Sequence, residues 1–151
     1  MSKVIVFKNA DGSVGVLNPS PQCHLTLEEI AKKDLPETCV EYQIFDAESL
    51  PVDKTFRNAW ALKDGQLEHD MDKARDLQKV RLRGLRAPLL LKLDVDYQKA
   101  DEEDDRAKKK KIADKKKALR DITVHASILA ASSVEELKQA GILELDNIIN
   151  S

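Results

Sequence analysis

Residues 60–93 read WALKDGQLEHDMDKARDLQKVRLRGLRAPLLLKL, and the pattern changes part-way through. The first ten alternate around Asp64-Gly65, a two-residue hairpin turn whose members tolerate positive φ. The segment Phe56-Arg57-Asn58-Ala59-Trp60-Ala61-Leu62 should therefore run into the turn and return through Gln66-Leu67-Glu68-His69. From Asp70 no turn signals appear. Apolar residues recur at spacings of three and four among charges, with Ala74, Leu77, Leu85, Leu89, Leu93, Tyr97 and Ala100 forming a helical stripe. The chain thus divides into β-rich residues 1–70 and helical residues 71–151. The fold class is α+β: a small N-terminal antiparallel β-rich domain, then a long helical hairpin or extended helices.

On the N-terminal side, Lys3–Phe7 (KVIVF) and Ser13–Leu17 (SVGVL) flank Asn9-Ala10-Asp11-Gly12 and predict a β-hairpin, which Pro19 and Pro21 end. Thr26 followed by Glu29 is a capping box opening a short helix from Leu27 to about Lys33. Cys39–Phe45 places Val40, Tyr42 and Ile44 on one face of a third strand, with Glu41 and Gln43 opposite. Trp60, the sole tryptophan, is the candidate core anchor.

On the C-terminal side, Pro88 predicts a break or kink near Arg86-Ala87, because proline removes one N–H and crowds the preceding turn. A second helix would then open at Pro88 and reach about Ile122. Its middle, Asp101–Lys111, has almost no apolar content and suits solvent or a loop between antiparallel helices. Ile112, Leu119 and Ile122 resume the stripe. Ser133 and Glu136 repeat the capping-box pattern for a short terminal helix over 134–140, ended by Gly141. Ile142–Ile149 alternates enough for a strand or a docking segment.

Composition bounds the function. Of 151 residues, 42% are hydrophobic, 34% charged and only 4% aromatic, a thin core for the length. No apolar run is long enough to span a membrane, and Met1–Phe7 lacks the order of a signal peptide, so a cytoplasmic chain is expected unless a particle carries it out. Cys23 and Cys39 are then expected as free thiols. The cysteines and histidines are scattered without metal-ligand spacing, so neither a metal nor a cofactor is expected. Phosphate-loop, dinucleotide, zinc-protease and nucleophile-elbow motifs are missing. Asp94-Val95-Asp96 falls in a helix, where residues two apart face apart. Three histidines lie in separate segments, none beside a candidate nucleophile, so no catalytic residue is assigned and the chain reads as a non-enzyme.

The net charge of −2 hides opposite halves: residues 1–70 hold 7 Lys/Arg and 12 Asp/Glu, residues 71–151 hold 18 and 15. Lys73–Arg86 and Arg106–Arg120 are locally basic but carry no interleaved aromatics, and read as solvated helix faces rather than a nucleic-acid surface. The stripe residues Leu77, Leu85, Leu89, Leu93, Tyr97, Ile112 and Leu119 are the candidate protein interface, since so long a helical region exceeds what this chain can cover.

Three segments carry a family resemblance: KVIVFKNADGSVGVLNPSP (3–21), FRNAWALKDGQLEHDMDKARDLQKVRLRGLRAPLLLKLDVDYQKA (56–100) and KKKALRDITVHASILAASSVEELK (115–138). Together they resemble a family of small tailed-bacteriophage and prophage proteins encoded in virion-structure or tail regions. The chain departs from the family pattern at Asp72, where proline is common, and in its lysine-rich second helix. The resemblance implies a virion structural or adaptor protein of tail, tail fibre or neck, partnered by other phage structural proteins and by copies of itself in a symmetric assembly. The alternatives are an assembly chaperone absent from the finished particle, and a DNA-associated regulator motivated by the basic stretches.

Overall fold

A computed structural model describes residues 2–151. Among the described residues the protein is α+β, with five short strands and one short helix in its first part and long and short helices after them. It divides into two compact units, Met1–Ala74 and Arg75–Ser151.

In the first unit, β1 (Lys3–Asn9) lies between β2 (Val14–Leu17) and β3 (Cys39–Asp46) in an antiparallel sheet of order β2-β1-β3. Gly12, at φ 86°, closes the first hairpin. Because strand side chains alternate, β1 supplies both faces of the sheet. Ile5 points to a cluster with Ile30 and Ala31 of α1 (Leu27–Asp34), joined by Leu17, Leu35 and Ile44. Val4 and Val6 point to a second cluster with Leu62, joined by Phe45, Leu50 and Leu67. Each fully buried aliphatic side chain contributes on the order of 1.5–3 kcal/mol.

The local signals act as their chemistry requires. The Thr26 hydroxyl accepts the Glu29 N–H at 3.2 Å, while the Glu29 carboxylate accepts the Thr26 N–H at 2.8 Å. Asp64 (φ 52°) and Gly65 (φ 75°) turn β4 (Trp60–Lys63) into β5 (Gln66–His69). The strand starts only at Trp60, since Arg57–Ala59 form a 3-10 turn. On β3, Val40 and Tyr42 are exposed and only Ile44 of the expected face reaches the core.

The helix α2 (Met71–Glu102) begins where the Asp70 carboxylate accepts the N–H groups of Asp72 and Lys73 at 3.1 and 3.2 Å. It does not break at Arg86-Ala87, and Pro88 opens no second helix but lies inside α2. The residue four before Pro88 is Gly84, and both are exposed, so the carbonyl that loses its partner is at the solvent side. The actual break is at Glu103–Asp105, within the stretch expected to leave the stripe, with Asp104 at φ 54°. There the Asp105 carboxylate accepts the Lys108 N–H at 3.0 Å and opens α3 (Arg106–Arg120).

The helices α2 and α3 form an antiparallel hairpin. Asp101 pairs with Lys109 at 2.6 Å, Asp94 with Lys116 at 2.5 Å, and the Arg86 guanidinium donates to the Arg120 carbonyl at 2.6 Å, positions rising on one helix as they fall on the other. Three short helices follow: α4 (Ala126–Ala130), α5 (Val134–Gln139) and α6 (Ile142–Asn150). The capping box of α5 is shifted: Ser133 Oγ accepts the Glu136 N–H, but the Glu136 carboxylate accepts from the Ser132 N–H and hydroxyl. This helix is not terminal. Ile142–Ile149, expected as a strand or docking segment, is helical, because Gly141 at φ 81° turns the chain and Leu145 then buries at helical spacing.

Candidate functional site

The site is defined by how α2 divides its faces. One face of its N-terminal half collects carbonyl groups left open at the C-terminal ends of neighbouring helices. Arg75 donates to the Ile128 and Ala131 carbonyls at 3.2 and 3.3 Å. Gln78, wholly buried, donates to the Ala140 carbonyl at 2.7 Å and accepts from Arg81 at 2.6 Å. Arg81 and Arg86 reach the carbonyls of Lys138 and Leu119. Cations at helix C-termini are favoured by the dipole as well as by hydrogen bonding. Three arginines of the Lys73–Arg86 run are therefore engaged inside the second unit, and the solvated face expected there is confined to its other residues.

The candidate interface residues fall into three groups. Ile112 (7% exposed) and Leu119 (0%) belong to the unit's own core and are not available to a partner. Once the Asp94–Lys116 and Asp101–Lys109 pairs close the hairpin, α3 turns these side chains inward. Leu77 is half-buried, as are Leu89 and Leu93, which line a small cleft of about 90 Å³ with Ile148 and Ile149. Tyr97 is half-buried with the ammonium groups of Lys116 and Lys109 at 5.3 and 5.7 Å from its ring centre. Leu85 alone of the seven is exposed, at 46%. Trp60, the candidate core anchor, is 2% exposed in the first unit.

A different stripe remains open. Val80, Gly84, Ala87, Pro88, Leu91 and Val95 are all exposed, and at about 100° per residue they share an arc of roughly 100° on α2. Over this span the stripe is about 22 Å long at 1.5 Å per residue. Val80, Leu91 and Val95 stand 58%, 68% and 48% exposed. A Cβ placed on Gly84 would meet nothing within 4 Å. Larger side chains at both ends and small or ring-locked residues between them make a surface on which another helix can approach closely. The signal was present in the sequence as spacings of four, three and four, but Leu77, Leu85, Leu89 and Leu93 give an equally regular alternative.

No family model, curated protein or solved structure matches the chain. No helix among the described residues is long and apolar enough to cross a membrane. Among those residues no group of three or more His, Cys, Asp or Glu side chains is placed to hold a metal ion, and Cys23 and Cys39 are free thiols.

One arrangement corrects the expectation that no histidine lies beside a nucleophile. His125 Nδ1 is 2.8 Å from Ser127 Oγ, and His125 Nε2 is 3.7 Å from Glu144 Oε1, beside a cavity of about 350 Å³ that Ser127 and Glu144 help line. Nδ1 also accepts the Ser127 backbone N–H at 3.2 Å and so caps α4. A ring nitrogen whose lone pair holds that N–H cannot take the Ser127 hydroxyl proton without releasing the cap. The group is accounted for as a helix start with a histidine held between a hydroxyl and a carboxylate.

Proposed function

We propose that this chain is a non-enzymatic assembly protein, a structural or adaptor component of a tailed-phage particle, working through helix-mediated contact with copies of itself and with neighbouring virion proteins. The observation that carries the reading is the exposed stripe Val80–Gly84–Ala87–Pro88–Leu91–Val95 on α2. The sequence resemblance to virion-region proteins supports the setting.

Magnitudes favour a repeated assembly over an isolated tight dimer. Two facing stripes would cover Val80, Leu91 and Val95 from each copy, each already partly covered, for about 1–2 kcal/mol apiece. The sum, roughly 6–12 kcal/mol, is of the same order as the about 4–15 kcal/mol that association costs. A contact so balanced persists when several act together around a symmetric ring or against a larger partner.

Quantitative peptide mass spectrometry of gradient-purified particles beside the crude lysate tests the proposal. Stoichiometric enrichment in particles is expected, and Leu91→Glu should reduce incorporation while leaving the chain folded. Abundance in lysate with absence from particles would overturn the structural role in favour of an assembly chaperone.

A further inference from the structure

The first unit contains a cavity of about 250 Å³ between the sheet and the loop that leads into β4. Its lining is divided. Val16 and Leu50 form part of an aliphatic wall, and Asn18, Lys54, Arg57 and Trp60 bring the polar groups. Trp60 is buried, yet its indole N–H has no acceptor among the described residues. Buried donors in folded proteins are almost always satisfied, so this orphaned N–H, on a residue that lines the cavity, is an exception.

The charges point the same way. The Lys54 ammonium and the Arg57 guanidinium lie 4.8 and 5.7 Å from the Trp60 ring centre. Lys54 also donates to the Pro51 carbonyl at 2.8 Å, whereas the Arg57 guanidinium makes no hydrogen bond or ion pair among the described residues. Among the described residues no acidic side chain lines the cavity. The Asp53 carboxylate next in sequence accepts from the Thr55 N–H and hydroxyl at 2.9 and 2.5 Å, and Asp46 pairs with Lys3 at 2.7 Å. Two cations gathered over the Trp60 ring beside the cavity, with no carboxylate among the described lining residues, form an anion receptor.

We propose that this cavity binds an aliphatic carboxylate, either a free short-chain acid or the side chain of a glutamate borne on another chain. The planar guanidinium of Arg57 matches a carboxylate with two parallel hydrogen bonds. The wall of Val16 and Leu50 takes the methylene stem. Tetrahedral inorganic phosphate matches the cations but not that wall.

The single tryptophan makes the test direct, since the ¹⁵N-labelled full chain gives one indole N–H resonance. Titration with propionate and with glutarate at constant ionic strength should move that resonance saturably. Arg57→Gln, an exposed substitution, should weaken binding about tenfold or more, as loss of a charged bidentate pair does. Lys54→Met should weaken it less, and circular dichroism of both variants should match the parent. In a parallel arm, a capped Ala-Glu-Ala peptide is compared with its Ala-Gln-Ala counterpart. Tighter binding of the glutamate peptide than of glutarate assigns the carboxylate to a partner chain, and the reverse assigns it to a free acid. A shift that stays linear, that phosphate reproduces equally, or that Arg57→Gln leaves unchanged would overturn the proposal.

Discussion

Gly141→Ala is expected to be among the most damaging single-methyl additions in this protein, for two separable reasons. Gly141 holds φ at +81°, where an L side chain costs about 1–2 kcal/mol. The added Cβ would also stand 2.8 Å from Leu82 Cδ1 and 3.2 Å from Cδ2, and Leu82 is wholly buried. Overpacking of that kind costs about 1–3 kcal/mol, giving roughly 2–5 kcal/mol together. Urea unfolding followed by far-ultraviolet circular dichroism reads this directly. With a slope of about 1–3 kcal/mol per molar, the midpoint should fall on the order of 1–2 M. Leu82→Ala separates the parts: in that background the overlap is gone, and Gly141→Ala should cost only the backbone share of about 1–2 kcal/mol. Gly84→Ala is the control of opposite sign. Gly84 sits exposed within α2 with nothing within 4 Å of the added carbon, so alanine should stabilise by about 0.5–1 kcal/mol. A Gly141→Ala stability within about 0.5 kcal/mol of the parent, or a destabilising Gly84→Ala, would overturn this account of the two glycines.

Other outcomes follow from the same physics. Leu119→Ala, at a fully buried position, should cost about 2–5 kcal/mol in the urea experiment, while Leu91→Ala, 68% exposed, should stay within about 0.5 kcal/mol. Pro88→Ala restores the missing N–H inside α2 and should raise stability by up to about 3 kcal/mol; a loss would mean that the proline makes contacts that matter more than its backbone cost. The Asp11 carboxyl is held below its ordinary value of 3.8 by hydrogen bonds from the Ser13 hydroxyl and then the Ser13 backbone N–H, at 2.6 and 2.9 Å. A depressed carboxyl contributes stability above its unfolded pKa and loses it as pH falls through the folded one, so this contribution disappears only in the acid limb below 3.8. Ser13→Ala should move the Asp11 titration, followed by carbon NMR, upward toward that ordinary value.

What the amino-acid sequence determined by itself was local. The Thr26–Glu29 box, the Asp64-Gly65 turn and the helical period beyond Asp70 each depend on atoms a few residues apart, so their chemistry acts alike wherever the chain carries them. The division into strands first and helices second followed from those signals. Tertiary structure decided which way each helix faces. On α2 two apolar stripes are equally regular, and the choice between them rests on partners far along the chain: Gln78 meets the carbonyl of Ala140, Arg75 that of Ile128, and Arg86 that of Arg120. Arginines that read as a solvated face are drawn inward because α3, α4 and α5 end beside them with carbonyls unpaired. Ile112 and Leu119 turn inward where α3 folds back along α2, leaving Val80, Leu91 and Val95 outside. Pro88 likewise reads as a breaker, yet the helix runs through it, held before it by buried Leu82 and by Arg86 and after it by the Asp94–Lys116 and Asp101–Lys109 pairs. Periodicity shows that a helix has an apolar face; only the carbonyls and side chains brought to it from distant sequence decide which face that is.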